Sequence, residues 1–395
     1  MSVKLISADS HVNPPPDLWL RDAPARLKDR VPRVESTPEG DVWVVDQKAS
    51  PVQGLTFMGG RDYKDYTPRV AYKEMRPGSW DPQARLADMD QDGILADVLY
   101  GGGPSRFDEP ELRAFCTQRY NDWLFELERA SGGRLVGISI LPINGGVAET
   151  CAELERVAKQ GARGVQVDAF PDAVGAPHYS DPAWEPLWSA LEAAAIPLSF
   201  HIQGPRGMQA ARLFDPTPGV REAFISLSPM GISELVAQLI FCGICQRHPG
   251  FVFVVVETGI GWIPYYLERM DSTFKKHRFW TRSVITEPPS TYWYRQGHAT
   301  FIEDHPGVKL RHEAGLENIL WSSDYPHSDT TWPRSREAVA EQFADVPPRE
   351  RDLIVWRNAA AALRDRVATP GPTARDGYRA SFVPARNVDS PAPDP

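Results

Sequence analysis

The chain has 395 residues, a formal net charge of −9, and 42% hydrophobic and 24% charged residues, a composition typical of a globular protein with one to three domains. The acidic balance argues against nucleic acid or an anionic membrane as the main partner, and no run of the sequence approaches the ~20 apolar residues of a membrane span. The chain begins in a strand pattern rather than a secretory signal, and its four cysteines do not form a disulfide-framework pattern, so we expect a cytoplasmic location.

The first predicted element is a strand whose polar end carries chemistry. A short apolar run from Val3 ends in Asp9-Ser10-His11 and stops against three prolines. Side chains two apart on a strand point to the same side, so Asp9 and His11 can converge at the end of the strand. A carboxylate and an imidazole held there form half of a divalent-metal site. The pattern alone fits equally well a turn-capping aspartate and a packed histidine.

A polar, proline-rich segment follows, and we interpret residues 14–80 as an insertion after this strand. Within it, Val31–Glu35 and Asp41–Val45 flank Pro38-Glu39-Gly40, which predicts a β hairpin.

Strands and helices then alternate regularly to residue 363. The seven further predicted strands are Ile94–Tyr100, Leu135–Leu141, Gly164–Val167, Pro197–His201, Phe251–Glu257, Ala299–Glu303 and Ile319–Asp324. Eight strands, each followed by a helix, predict an α/β fold of the distorted (β/α)₈ TIM-barrel type. A doubly wound open sheet would instead require a glycine-rich phosphate loop after an early strand. We assign residues 1–13 and 81–366 to the barrel, and we expect the Pro-rich tail, 367–395, to be disordered.

Polar residues stand at the ends of five predicted strands, where the chemistry of such barrels is located. Each of them alone could be a packed histidine, a turn residue or a helix cap. Their coincidence at one rim favours a site built from Asp9, His11, Gln166, Asp168, His201, Glu257, Asp324 and His327.

The chain also resembles a known family, the amidohydrolase-related family that includes aminocarboxymuconate semialdehyde decarboxylase. The resemblance covers residues 3–364 and rests on Asp9-Ser10-His11, His201, Gly259–Pro264, Ser323-Asp324-Tyr325-Pro326-His327 and Arg357–Ala360. It implies a distorted TIM barrel with a divalent metal ion, usually zinc, manganese or iron, held by Asp9, His11, His201 and Asp324. It also implies that Asp324 orients or deprotonates a metal-bound water. Because dimers are common among similar proteins, a homodimer is a further expectation.

The chain departs from the family pattern in two places. The usual His-x-His is Asp9-x-His11, which adds negative charge and favours manganese or iron over zinc. The decarboxylase relatives carry a histidine where this chain has Glu257. This carboxylate could act as a general base, join the metal ligands, or bind a second metal ion together with His327 or His178.

A carboxylate at position 257 is expected to repel an anionic substrate, and this decides our functional prediction. We predict a metal-dependent hydrolase that cleaves a carbonyl bond (an amide, an ester, a thioester such as acyl-CoA, or a lactone) of a bulky or cyclic small molecule. Asp324, Glu257 and His327 are the candidate catalytic residues, with Asp324 favoured as the base. The alternatives are a non-oxidative decarboxylase or hydratase of an aromatic or unsaturated acid, and a catalytically inactive barrel that serves as a scaffold.

Substrate binding is assigned to Trp262 and to the basic cluster of Lys275, Lys276 and Arg278. The cluster could clamp an anionic tail such as the phosphates of coenzyme A, or it could be the solvated end of a helix.

Overall fold

The computed structural model describes residues 3–101, 104, 106–202 and 210–363. The predicted disordered tail, 367–395, lies outside the described residues.

The described part of the chain contains strands and helices in the alternation that the sequence predicts. The strands are β1 (Leu5–Val12), β2 (Arg33–Thr37), β3 (Gly40–Val45), β4 (Lys48–Pro51), β5 (Ile94–Gly101), β6 (Leu135–Gly137), β7 (Ser139–Ile140), β8 (Val165–Gln166), β9 (Leu198–His201), β10 (Phe253–Val256), β11 (Gly297–Phe301) and β12 (Ile319–Trp321). The helices are α1 (Pro82–Asp92), α2 (Pro110–Ala130), α3 (Gly146–Gln160), α4 (Glu185–Ala194), α5 (Val220–Leu227), α6 (Ile232–Phe241), α7 (Ile244–Arg247), α8 (Ile263–His277), α9 (Pro289–Gln296), α10 (His305–Lys309), α11 (Arg311–Ala314), α12 (Ser335–Gln342), α13 (Pro348–Asp352) and α14 (Asn358–Ala362).

The barrel consists of two groups of parallel strands, ordered β1-β5-β6 and β12-β11-β10-β9-β8-β7. Only Ile138 separates β6 from β7, so these two strands occupy one position in the barrel. At the other edge, the amide of Asp324 donates to the carbonyl of Asp9 at 3.0 Å, and the amide of His11 donates to the carbonyl of Tyr325 at 2.6 Å. These bonds bring the end of β1 beside the segment that follows β12, and the prediction of a distorted (β/α)₈ barrel is confirmed.

The strands of the barrel are buried because they are covered on both sides. In β10, the run Phe253–Val256 is buried throughout, as expected for a parallel strand with helices outside and side chains within. A separate cluster of small and β-branched residues fills the barrel interior, including Ile6, Ala8, Val98 and Val254. This packed interior leaves only the strand ends available for a site.

The insertion forms an antiparallel sheet of three strands, β2-β3-β4, rather than the predicted hairpin of two. The third strand, Lys48–Pro51, is polar and mostly exposed, so it lacks the apolar alternation by which strands are recognised. Trp43 of β3 packs edge-on against Trp19, with ring centroids 5.8 Å apart, and so joins the sheet to the core. The boundaries of the barrel and the insertion stay a prediction.

One helical segment, Val220–Phe241, differs from the expectation that no part of the chain approaches membrane-span length. It has 22 residues and a hydropathy of 1.5, so length and composition alone would allow it to cross a membrane. Its α6 part buries Leu235, Val236 and Leu239, as a core helix does. The cytoplasmic location stays a prediction.

Candidate metal centre

Six side chains converge at the C-terminal ends of four barrel strands. Asp9 and His11 are near the end of β1 and His201 is the last residue of β9, while Glu257 follows β10 and Asp324 and His327 follow β12. All six were predicted site residues, and the barrel brings them into one cluster.

His11 lies at the centre of this cluster. Its Nε2 atom is 3.2 Å from Asp324 Oδ1, 3.5 Å from Asp9 Oδ1 and 3.8 Å from Glu257 Oε2. It is also 3.2 Å from the Nε2 atom of His201. His201 Nε2 is in turn 3.2 Å from Glu257 Oε2 and 3.7 Å from Asp9 Oδ1. Nitrogen and oxygen donors at these separations can surround a single ion.

His327 extends the cluster on the side of β12. Its Nδ1 atom is 3.1 Å from Asp324 Oδ1 and 3.9 Å from Glu257 Oε2. Its ring stacks on that of His11, with centroids 3.6 Å apart. The donors therefore form two overlapping groups, Asp9-His11-His201-Glu257 and His11-Glu257-Asp324-His327, and within each group the ligand atoms lie within 4.8 Å of one another.

Unpaired oxygens show that these residues suit a cation. Both carboxylate oxygens of Asp9 and both of Asp324 are buried without a hydrogen-bond partner among the described residues. Burying an unpaired carboxylate is costly, and a coordinated metal ion compensates for that cost. The donors are carboxylates and imidazoles, which are ligands for divalent ions. The prediction of a divalent metal cofactor is confirmed.

The same crowding perturbs the protonation of the site. Burial, together with the charges of Asp324 and Asp9, raises the pKa of Glu257 well above its ordinary value. Burial and the neighbouring His327 ring hold the pKa of His11 well below its ordinary value, which favours the neutral imidazole that binds metals. Burial also lowers the pKa of His201, but the interaction with the carboxylate of Asp9, 3.7 Å from His201 Nε2, outweighs it, so this pKa lies above its ordinary value.

Two of the site carboxylates are held in a strained backbone conformation. Glu257 has φ of 62° and Asp324 has φ of 54°, both in the left-handed region that disfavours residues with a side chain. The amide of Glu257 donates to Thr300 Oγ1 at 2.7 Å, and that of Asp324 donates to the carbonyl of Asp9. These bonds hold the turns at which β10 and β12 end and direct both carboxylates into the cluster.

A buried ion pair supports His11 from behind and was missed by the sequence analysis. Arg85 of α1 bonds Asp97 of β5 through Nε at 2.8 Å and donates through Nη1 to the His11 carbonyl at 2.9 Å. Ser10 Oγ donates to the other oxygen of Asp97 at 3.3 Å. The available signal was Asp97 itself, a charged residue within an apolar strand.

The cluster forms the floor of a cavity of about 1720 Å³. Its walls come from the insertion, the loops after the strands and α5, and they combine aromatic and aliphatic side chains with polar ones. They include Phe57, Tyr63, Tyr66, Phe170, Phe214, Phe224 and Ile225. Gln166 also lines the cavity, whereas Asp168 pairs with Arg106 and lies outside both donor groups.

The predicted substrate-binding residues are not brought to this cavity. Trp262 does not line it, and its indole nitrogen donates to the Thr258 carbonyl at 3.0 Å. Lys275, Lys276 and Arg278 are exposed at the far end of α8, about 20 Å along the helix from its start near the strand ends. The predicted clamp for an anionic tail is therefore not part of the cavity.

The two candidate ligands of a second metal ion, His178 and His327, do not lie in one donor group. His178 bonds Ser180 Oγ at 2.6 Å and belongs to neither donor group. His327 does belong to one, in company with Glu257. A second ion held by His178 is thus not supported, and the number of ions stays a prediction.

A barrel whose strand ends carry such a centre defines a metal-dependent enzyme. The family comparison agrees: the amidohydrolase family model matches residues 8–364. The chain belongs to the amidohydrolase family.

Similar proteins are known at low sequence identity. The 2-amino-3-carboxymuconate-6-semialdehyde decarboxylase of Dictyostelium discoideum is 21% identical over 260 residues, which cover 65% of this chain and 69% of that protein.

Three solved structures share the fold. An amidohydrolase from Mycobacterium avium subsp. paratuberculosis has a TM-score of 0.72 and 19% identity, covering 92% of this chain and 98% of that one. A 5-carboxyvanillate decarboxylase from Sphingomonas paucimobilis has a TM-score of 0.65 and 21% identity, with coverages of 92% and 99%. A dihydroxybenzoic acid decarboxylase from Polaromonas sp. JS666, with bound manganese and the inhibitor 2-nitroresorcinol, has a TM-score of 0.61 and 17% identity, with coverages of 92% and 97%.

These relatives correct the functional prediction. Most of them are named decarboxylases, and the prediction of carbonyl hydrolysis, including thioester cleavage, is wrong. The error lies in the argument from charge repulsion, which counted the charge of Glu257 alone. A divalent ion held among the neighbouring donors adds positive charge that attracts an anionic substrate.

Proposed function

We propose that this protein is a manganese-dependent, non-oxidative decarboxylase of an aromatic or unsaturated carboxylic acid. The observation that carries the proposal is the floor of the cavity, which His11, His201 and Asp324 line, together with the buried, unpaired carboxylate oxygens of Asp324 and of the adjacent Asp9. The names of the similar proteins favour decarboxylation as the reaction at this floor.

Four residues would hold the metal ion: Asp9, His11, His201 and Asp324. Two carboxylates in a set of four make the site hard, which favours manganese over zinc. Once bound, the divalent ion supplies positive charge that attracts the substrate carboxylate and stabilises negative charge formed during the reaction.

The remaining chemistry belongs to the protein's own acids. Decarboxylation breaks the bond between a substrate carbon and its carboxylate, carbon dioxide leaves, and the electron pair stays on that carbon. The carbon must then accept one proton. Asp324 is placed to deliver it, and His327, which is 3.1 Å from Asp324 and lines the cavity, is placed to bring the proton from solvent.

Glu257 takes a different part in this proposal. It lines the cavity beside His201, with its Oε2 atom 3.2 Å from His201 Nε2. From that position its carboxyl group can form a hydrogen bond with a hydroxyl group of the substrate.

The test is a product analysis with the manganese-loaded full chain. We expect release of carbon dioxide from at least one acid of a panel that contains dihydroxybenzoates, 5-carboxyvanillate and larger aryl acids. In D₂O, the product should carry one deuterium on the carbon that lost the carboxylate. Absence of carbon dioxide from every acid on the panel, with manganese bound stoichiometrically, would overturn the proposal.

Two variants separate the role of Asp324 from general effects on the loop. Asp324→Asn should lower kcat by about 10²- to 10⁴-fold, the range for loss of a general acid. Asp329→Asn is the matched control, because Asp329 lies on the same loop and lines the cavity but belongs to neither donor group. Equal rates for Asp324→Asn and the wild type would exclude the proton-transfer role.

A further inference from the structure

The cavity is larger than its proposed reaction requires. Its volume of about 1720 Å³ exceeds the roughly 300–1,000 Å³ of pockets that enclose drug-sized ligands. A single-ring acid bound at the metal centre would leave most of this space to water. The excess volume points to a substrate that continues beyond the reacting ring.

The outer part of the cavity offers apolar surface to such an extension. Tyr63 and Tyr66 of the insertion line it, as do Phe224 and Ile225 of α5. Tyr63 is 84% exposed and Ile225 is 40% exposed. Exposed apolar surface at the mouth of a cavity gains free energy when an apolar ligand covers it.

The charged residues of the outer cavity disfavour an anionic extension of the substrate. Among the described lining residues beyond the metal centre, Glu303 and Asp329 are carboxylates, and Arg106 is the one cation. Arg106 already pairs with Asp168. An anionic tail would therefore meet net negative charge, whereas a neutral or cationic tail would not.

We propose that the substrate is an extended acid of at least two rings whose distal part is apolar and not anionic. The inference rests on the proposed function for the placement of the carboxylate at the metal centre. The distal ring lies against the wall formed by Phe224 and Ile225 of α5. One-ring acids and acyl-CoA thioesters are then poor ligands.

Helix α5 provides a matched pair of variants. Ile225 lines the cavity, whereas Leu227 does not, and their exposed fractions are similar at 40% and 45%. Ile225→Asp places a charge on the proposed wall, and Leu227→Asp places the same charge just outside it. Any general effect of an added carboxylate on the helix is common to both variants.

Binding is measured by calorimetry on the manganese-loaded full chain with nitro analogues, in which a nitro group replaces the reacting carboxylate. The two-ring analogue should bind the wild type at least about tenfold more tightly than the one-ring analogue. Ile225→Asp should lose about tenfold in affinity for the two-ring analogue only, and Leu227→Asp should bind like the wild type. A sulfonate on the distal ring should weaken binding to the wild type.

Three outcomes would overturn the inference: equal affinity for one-ring and two-ring analogues, an unaffected Ile225→Asp variant, or equal losses in the two variants. These outcomes are distinguishable from failure of the proposed function. Size-dependent binding without release of carbon dioxide from any acid refutes decarboxylation and keeps the extended ligand. If carbon dioxide is released from one-ring acids as efficiently as from two-ring acids, the extended ligand is refuted and decarboxylation is kept.

Discussion

Replacing Asp324 by asparagine should make the metal-free protein more stable and the metal-loaded protein less stable relative to wild type. Asp324 is fully buried, and neither of its carboxylate oxygens has a hydrogen-bond partner among the described residues. Without a cation, its charge therefore opposes folding. With a cation, the same charge is a ligand.

The geometry gives the size of the effect. The ligand oxygens of Asp324 and Glu257 lie within 4.8 Å of each other. Two unit charges at that distance repel by about 3.5 kcal/mol at an effective dielectric constant of about 20. Protonation of Glu257 relieves part of this repulsion, so we expect the asparagine variant to gain about 1–3 kcal/mol when metal-free. For a chain of 395 residues that gain corresponds to a rise in Tm of about 1–4 °C.

The assay is thermal unfolding of both proteins, first with a chelator and then with saturating manganese. Manganese at 100 times its Kd should stabilise the wild type by about 2.7 kcal/mol and the variant by much less, which reverses their order. Asp97→Asn is the matched control, since Asp97 is also buried but is paired with Arg85. That variant should lose about 3–5 kcal/mol in both conditions, because it leaves a buried guanidinium unpaired. If metal-free Asp324→Asn melts below the metal-free wild type, the reasoning from uncompensated charge is refuted.

Three further predictions test other parts of the structure. Asp9→His should raise affinity for zinc relative to manganese, measured by metal competition and elemental analysis; an unchanged preference would contradict the argument from ligand hardness. Exchanging Lys275 and Lys276 for glutamate should leave kcat/KM for the best acid within about twofold of wild type, because neither lysine lines the cavity. A large loss of kcat/KM would show that the two lysines do contribute to substrate binding. Ala195→Gly should raise the free energy of unfolding by about 1 kcal/mol, since Ala195 has φ of 48° at the end of α4, while Ala193→Gly within that helix should lower it by about as much in the same denaturant titration.

The barrel could be predicted because each of its strands and helices has a recognisable pattern within a short segment of the sequence. Short β-branched strands such as Phe253–Val256 alternate with helices of clear apolar periodicity, and this alternation has few structural solutions. The strand Lys48–Pro51 could not be predicted in the same way. It has no large apolar residue and is mostly exposed, and it forms because it pairs with β3. Pairing partners are a property of the folded chain rather than of a short segment.

The same distinction between local patterns and contacts between distant segments applies to the site. Asp9, His11 and His201 could be placed together because the ends of barrel strands meet at one rim. The basic cluster of Lys275, Lys276 and Arg278 was assigned to substrate binding although it lies at the opposite end of α8. The rise of about 1.5 Å per residue along a helix was the available signal that it lies far from the rim. The pair of Arg85 and Asp97 was missed because its two members come from different elements.

The reaction was predicted wrongly for a physical reason. The prediction considered the charge of Glu257 alone, whereas a substrate meets the combined field of Glu257, the neighbouring donors and the metal ion that they can hold. The backbone adds a cost to folding, because Glu257 and Asp324 both adopt a left-handed conformation that destabilises a residue with a side chain by about 1–2 kcal/mol. Crowded carboxylates on strained turns oppose folding unless a cation lies between them. Their presence at the floor of the cavity is therefore better explained by a bound metal ion than by stability of the barrel.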